Sequence, residues 1–141
     1  MTKEEDQKGL QKKYLQLQLL KQYVTAMIEE KGKIETKIAE SAVTMHAAES
    51  ISNVQKGEEF WAPLGSDAYM LSDIVDVKNL LLNVGANVYV QKTIEEANEL
   101  LQKRRKEYEE VNEKMGAEIA EMVRQIELLE RQVQEMAKEI E

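Results

Sequence analysis

Two heptad repeats, one toward each end of the chain, constrain the fold more than any other feature of this sequence. In each repeat, apolar residues occupy two rows that alternate in steps of three and four, as the seam of a coiled coil requires. The first repeat is interrupted at Lys31 and Ser41 and predicts a helix over about residues 7–54. Its two rows are Leu10, Leu17, Val24, Lys31, Ile38 and Met45, and Leu20, Met27, Ile34, Ser41 and Ala48.

The second repeat is the more regular one. Its rows are Tyr108, Met115, Met122, Leu129 and Met136, and Asn112, Ile119, Ile126, Val133 and Ile140. β-Branched residues in one row favour tight packing, and the polar Asn112 can fix the register of the helices at some cost in stability. Thr93 followed by Glu96 has the pattern of a capping box, which predicts that this helix begins near residue 94.

Residues that break regular structure gather between the two repeats, and they are Gly57, Pro63, Gly65 and Gly85. They divide the chain into a first helical segment at 1–56, a middle segment at 57–93 and a second helical segment at 94–141. Each helix would be roughly 70 Å long at 1.5 Å per residue. Equal lengths joined by a compact connector favour an antiparallel coiled-coil hairpin, although each helix could instead pair with other chains.

The middle segment predicts two β-hairpins. Strand-forming residues at 60–64 and 68–75 flank a turn, and those at 79–84 and 88–91 flank the turn Gly85-Ala86-Asn87. Hairpins of this size cannot build a core alone. Leu80, Leu82 and Val84 share one face of a strand, and the simplest cover for that face is the same region of another subunit.

Composition excludes several classes of function. The 141 residues include no Cys and one His, which argues against a disulfide framework, a zinc site and a Ser-His-Asp triad. The net charge of −8 argues against nucleic acid as the main ligand. We therefore predict no catalytic, metal-binding or cofactor-binding residues. No apolar run approaches the roughly 20 residues that span a bilayer, and the N-terminus has no signal-peptide apolar region, so we expect no membrane association and a cytoplasmic location.

Two polar features have structural interpretations. His46 lies beside the first seam, and we expect it to be partly buried. The basic run Lys103-Arg104-Arg105-Lys106 is flanked by glutamates, and we interpret it as a helix face of i,i+4 ion pairs rather than a nucleic-acid site.

Apolar residues also lie off the seams, toward the end of the helical hairpin where the two chain ends would meet. They are Leu15, Leu19 and Tyr23 on the first helix and Val123 and Leu128 on the second, with the adaptable Met122 and Met136 nearby. An ideal two-stranded coil carries charged residues there. The pattern indicates an adhesive tip, packing against a neighbouring helix, or a chance scatter of single exposed apolar residues, which are common on protein surfaces.

The sequence also resembles a known family. A long helix is followed by Phe60-Trp61-Ala62-Pro63-Leu64-Gly65-Ser66-Asp67-Ala68-Tyr69, then by Asn83-Val84-Gly85-Ala86-Asn87-Val88-Tyr89-Val90-Gln91-Lys92, and then by a helix that opens with Ile94-Glu95-Glu96-Ala97. This order is similar to the alpha-class subunit of prefoldin. The resemblance covers almost the whole chain, and the two strand-bearing stretches are its specific part.

This resemblance implies a mainly α fold with a small β region, in which a long antiparallel coiled-coil hairpin is connected by two β-hairpins that form an oligomeric β-barrel body. It implies an ATP-independent holdase that binds unfolded polypeptides at its coiled-coil tips and delivers them to a group II chaperonin. The implied complex holds two alpha subunits with four beta-type subunits. A structural coiled-coil scaffold or a filament-forming homo-oligomer is the alternative.

Two sets of residues follow as candidate binding surfaces. The tip set, expected to bind clients, is Leu10, Tyr14, Leu15, Leu19, Tyr23, Met122, Val123, Leu128 and Met136. The interface set, expected to lie between subunits, is Leu64, Tyr69, Leu71, Leu80, Leu82, Val84, Val88 and Val90.

Overall fold

A computed structural model describes residues 2–140 of the chain. Its elements, in chain order, are helix α1 (Lys3–Ser52), strands β1 (Glu59–Gly65), β2 (Ala68–Asp73), β3 (Asn79–Asn83) and β4 (Tyr89–Thr93), and helix α2 (Ile94–Ile140). Two long helices with two antiparallel β-hairpins between them confirm the predicted fold class. Residues 1 and 141, at the outer ends of the predicted segments, lie outside the described residues. The segment boundaries at 56 and 93 stay a prediction.

Helix α1 begins earlier than the heptad pattern indicates, because Thr2 and Glu5 form a capping box. The Glu5 amide donates to Thr2 Oγ1 and the Thr2 amide donates to Glu5 Oε2, each at 3.4 Å. This exchange satisfies backbone donors that the first turn leaves free. The acidic side chains of the first turn add a favourable interaction with the helix dipole. The helix therefore starts at Lys3 rather than near residue 7.

The residues cluster into two compact units, and the first consists of α1 up to Thr36 and α2 from Tyr108 onward. Lys13 Nζ donates to Gln132 Oε1 at 2.9 Å, and Lys21 Nζ pairs with Glu130 Oε1 at 2.8 Å. Residues further along α1 thus meet residues earlier on α2, as the predicted antiparallel hairpin requires. Leu17, Val24 and Met27 are buried in this seam.

The second unit runs from Lys37 to Glu107 and contains both hairpins. Its buried side chains are Ala48, Ile94, Ala97 and Leu101. Helix α2 begins at Ile94, as predicted, because Thr93 Oγ1 accepts a hydrogen bond from the Glu96 amide at 3.1 Å. The Ile94 amide donates to the Lys78 carbonyl at 3.0 Å, which fixes the start of α2 to the segment that leads into β3.

Each hairpin is a separate two-stranded antiparallel sheet. In the first, Trp61 lies opposite Leu71 and Pro63 lies opposite Tyr69, and the register shifts between Pro63 and Gly65. The shift leaves Leu64 as the extra residue of a β-bulge. In the second, Leu80 lies opposite Lys92 and Leu82 opposite Val90.

Backbone conformation explains why the two turns contain Gly with Asp or Asn. Gly65, Ser66 and Asp67 have φ values of 98°, 51° and 61°. Gly85, Ala86 and Asn87 have φ values of 118°, 50° and 59°. Glycine adopts this region without strain, and Asn and Asp tolerate it better than most other residues.

Within residues 2–140, no helix has an apolar stretch long enough to cross a membrane.

Candidate functional site

The tip set divides by exposure. Tyr14, Leu15, Leu19, Tyr23, Val123 and Leu128 are exposed, whereas Leu10, Met122 and Met136 are half-buried. The half-buried members occupy heptad rows; a Cβ atom placed on Gly9 would lie 3.5 Å from Met136 Cε. Six of the nine residues therefore present apolar surface outside the seam. Their role in client binding stays a prediction.

Three α1 members of the set, Leu15, Leu19 and Tyr23, form a stripe on the outer side of the helix. Leu15 and Leu19 lie two positions before and after the buried Leu17, and residues two apart on an α-helix point about 200° apart. Both side chains therefore point away from the seam. Tyr23 continues the stripe at the next i,i+4 step, and all three residues are 58% exposed.

The first hairpin presents an apolar face. Residues that lie directly opposite or two apart along a strand share a face. Trp61, Pro63, Tyr69 and Leu71 therefore lie together, and all four are exposed. Trp61, at 64% exposed, was missed by the sequence-based interface set. The sequence contained a signal for this face, because Trp61 and Pro63 lie two positions apart on a predicted strand and therefore share one side of it.

The second hairpin has two unequal faces. Leu80, Leu82 and Val90 share one face, where Leu80 and Leu82 are half-buried within the protomer. On the other face Leu81 is 70% exposed, and Tyr89, its diagonal neighbour, is also exposed. The interface set contains the first face with Val84 and Val88, and it omits Leu81 and Tyr89. Both faces therefore carry apolar surface, and the more exposed leucine lies on the face that sequence reasoning left out.

Two polar residues differ from their sequence-based interpretation. His46 is exposed rather than partly buried, because it follows the half-buried row residue Met45 by one position and points about 100° away. Arg104 was interpreted as part of a helix face of ion pairs, but it also binds the main chain of the second hairpin. Its Nη2 donates to the main-chain carbonyl of Asn83 at 2.5 Å in a partly buried contact.

The linker between the hairpins contains Asp76, a carboxyl group with a shifted pKa. The carboxylate of Asp76 accepts hydrogen bonds from the Asn79 side-chain amide at 3.0 Å and from the Lys78 and Asn79 main-chain amides at 2.8 and 3.2 Å. These donors, the Asn79 side chain foremost, hold the pKa of Asp76 below its ordinary value. This local network shapes the entry to β3.

The described part of the chain contains no group of three or more His, Asp or Glu side chains arranged to hold a metal ion. The features that stand out are apolar surfaces on a helical pair and on two small sheets. Exposed apolar surfaces of this kind are typical of sites that contact other polypeptides.

Comparison with known proteins agrees with a helical-hairpin protein that presents apolar surfaces. The family model described as Prefoldin subunit matches residues 20–139. The chain therefore belongs to the prefoldin family, whose members are known as chaperone subunits.

Curated relatives that the chain resembles include alpha subunits from archaea. Prefoldin subunit alpha of Pyrococcus horikoshii is 26% identical over 133 residues, which cover 94% of this chain and 90% of the relative. The same subunit of Methanosarcina acetivorans is 27% identical over 116 residues, covering 80% and 82%. Prefoldin subunit alpha 1 of Thermococcus kodakarensis is 31% identical over 104 residues, covering 74% and 71%.

A solved structure shares the fold. The chain is similar to filamentous PFD from Methanocaldococcus jannaschii, determined by cryo-electron microscopy, with a TM-score of 0.72 and 20% sequence identity. The match covers 80% of this chain and 93% of that one. It supports the arrangement of two helices and two β-hairpins.

Proposed function

We propose that this chain is a non-catalytic subunit of a cytoplasmic, ATP-independent holdase chaperone. In this proposal it assembles through its hairpins with beta-type prefoldin subunits, two alpha with four beta. The tip set holds non-native polypeptides, and the complex delivers them to a group II chaperonin. Membership of the prefoldin family and the likeness to archaeal alpha subunits support this proposal.

The observation that carries the proposal is the outer stripe of Leu15, Leu19 and Tyr23. A two-stranded coil that served only as a spacer would gain solubility from charged residues there. Instead, three large apolar side chains are 58% exposed at successive i,i+4 positions. An unfolded chain can bury such a stripe without a specific sequence, because the hydrophobic effect is not directional.

Passive binding is sufficient for this activity. Burial of apolar area contributes roughly 25 cal/mol per Å², so one small stripe binds weakly. Several stripes in one oligomer would combine through effective concentration and hold a client more tightly than any one of them. The net charge of −8 helps to keep a protein with exposed apolar surface soluble.

The exposed side chains of the interface set support assembly through the hairpins. Two-stranded hairpins are marginally stable alone, and these carry exposed Leu64, Tyr69, Leu71 and Val88. Pairing with strands of a neighbouring subunit would cover these side chains and satisfy the free strand edges.

The test replaces Leu15, Leu19 and Tyr23 together by Ser. We expect the complex with its beta-type partner to keep its mass, and its suppression of aggregation of a chemically denatured test protein to fall several-fold. The matched control replaces the exposed Gln11, Gln18 and Gln22 by Ser on the same stretch of α1. Light scattering measures protection, and analytical ultracentrifugation measures mass.

Two results would contradict the proposal. Undiminished protection by the triple Ser variant would mean that the stripe does not bind clients. An equal loss in the glutamine control would mean that the effect comes from altered helix stability and not from the apolar side chains.

A filament-forming homo-oligomer is the second candidate. The specific observation in its favour is that the structural neighbour from Methanocaldococcus jannaschii is described as filamentous. Electron microscopy of the chain expressed alone separates the two candidates: long filaments favour the homo-oligomer, and a closed particle that requires the beta-type partner favours the heteromeric chaperone.

A further inference from the structure

Arg104 links helix α2 to the second hairpin within the second unit. Its Nη2 donates to the carbonyl oxygen of Asn83, the last residue of β3, at 2.5 Å. The contact is partly buried and joins residues 21 positions apart. A charged donor on a backbone carbonyl, partly shielded from water, forms a stronger bond than a neutral pair.

The same hairpin is fixed at its other end. β4 runs directly into α2 at Thr93 and Ile94, and the Ile94 amide donates to the Lys78 carbonyl. β4 is about 13 Å long at 3.3 Å per residue. Arg104 lies ten positions after Ile94, which is about 15 Å along the helix. Because these lengths match, the hairpin lies folded back along the first turns of α2, held at both ends.

The turn end also has its own internal support. Asn83 Oδ1 accepts a hydrogen bond from the Gly85 amide at 2.9 Å, and the Val84 amide donates to the Val88 carbonyl at 2.9 Å. These bonds shape the turn but do not attach it to the helix. The bond from Arg104 to the Asn83 carbonyl joins the turn end to α2.

We propose that Arg104 is a positioning residue for subunit assembly. By holding the turn end of the β3–β4 hairpin against α2, it fixes the orientation in which the protomer presents these strands to a neighbouring subunit. This inference rests on the proposed function, in which the hairpins form the interface. A hairpin that is already oriented loses less conformational entropy when the subunits associate. The dissociation constant of the complex is therefore lower.

Residues of the same basic run provide the matched control. Arg104→Met removes the donor and one positive charge but keeps an unbranched apolar stem. Lys106→Met removes the same charge from an exposed side chain. Arg104→Lys keeps the charge and a donor but loses the planar guanidinium, and it should restore part of the effect.

The experiment measures two quantities on the full-length protein co-expressed with a beta-type partner. Amide hydrogen exchange of β3 and β4 should be about tenfold faster in Arg104→Met and unchanged in Lys106→Met. The dissociation constant of the complex, from sedimentation at a series of concentrations, should rise about tenfold or more in the same variant. Circular dichroism should show unchanged helix content.

Leu82→Asp separates failure of this inference from failure of the proposed function. If Leu82→Asp dissociates the complex and Arg104→Met changes neither exchange nor affinity, Arg104 has no positioning role and the proposed interface stands. Faster exchange with unchanged affinity also overturns the inference, because the bond then serves the hairpin alone. If neither variant alters the complex, assembly does not use these strands, and both this inference and the proposed assembly through the β3–β4 hairpin fail.

Discussion

The side chain of Lys31 packs across the seam of the first unit against Gly116. Lys31 Cε lies 3.3 Å from the position that a Cβ atom on Gly116 would occupy. Lys31 Nζ pairs with Glu35 Oε1 one turn further along α1 at 2.5 Å. A lysine can therefore occupy an apolar row because its stem lies over a residue without a side chain while its charge stays paired at the surface.

Glycine replacements should measure the cost of this contact. Gly32→Ala, in α1 with no atom within 4 Å of the new methyl group, should raise stability by about 1 kcal/mol through helix propensity alone. Gly116→Ala should stabilise less, because the Lys31 stem must shift. Thermal midpoints at one protomer concentration provide the comparison. A larger gain at Gly116 than at Gly32 would show that the lysine stem does not pack there.

Asn112 provides a second stability test. Its Oδ1 is buried without a hydrogen-bond partner among residues 2–140, at a position in the heptad row. Asn112→Leu should stabilise the helical pair by about 1 kcal/mol or more, because it removes an unsatisfied polar group and fills the seam. Asn112→Asp should destabilise it by more than that, because a charge would be buried.

The exposed Gln125 on the same helix is the control for this test, and Gln125→Leu should change stability by less than about 0.5 kcal/mol. Chemical denaturation followed by circular dichroism measures the differences. Destabilisation by Asn112→Leu would mean that the amide is satisfied in solution by water or by a partner chain.

The helices were predictable because heptad spacing reports burial directly. Every residue of both sequence-derived rows, including Lys31 and Ser41, is buried or half-buried. The capping box of Thr93 and Glu96 likewise predicted the start of α2. The same signal was present at Thr2 and Glu5, and reading only the apolar rows placed the start of α1 too late.

Contacts distant in sequence were not predictable. The bond from Arg104 ends on a main-chain carbonyl, which every residue carries, so no side-chain pattern marks Asn83 as its acceptor. The run Leu80-Leu81-Leu82 was ambiguous for another reason. Alternation shows that Leu81 faces away from its neighbours, but not which face the protomer itself covers.

Asp76 should give a measurable titration. Its pKa lies below the ordinary value in the folded protein, so its contribution to stability is present above the pKa of the unfolded chain, near 3.8, and is lost as the pH falls through the lower folded value. Asn79→Ala removes the largest cause and should move the pKa of Asp76 up toward 3.8. Carboxyl carbon chemical shifts measured by NMR against pH report this shift, and an unchanged titration would mean that the Asn79 amide does not hold the carboxylate.

The proposed interface leads to the final prediction. Leu82→Asp places a carboxylate on the face shared with Leu80, Val90 and Lys92, where burying a charge in an apolar interface costs several kcal/mol. The oligomer should dissociate while helix content largely persists, since the seam of the first unit lies on other residues. Gln91→Asp, an exposed residue opposite Leu81 on the other face of the hairpin, tests whether charge alone is responsible and should weaken assembly less. Sedimentation velocity gives the mass and circular dichroism the helix content; an intact oligomer with Asp at position 82 would show that this face of the strands is not the assembly surface.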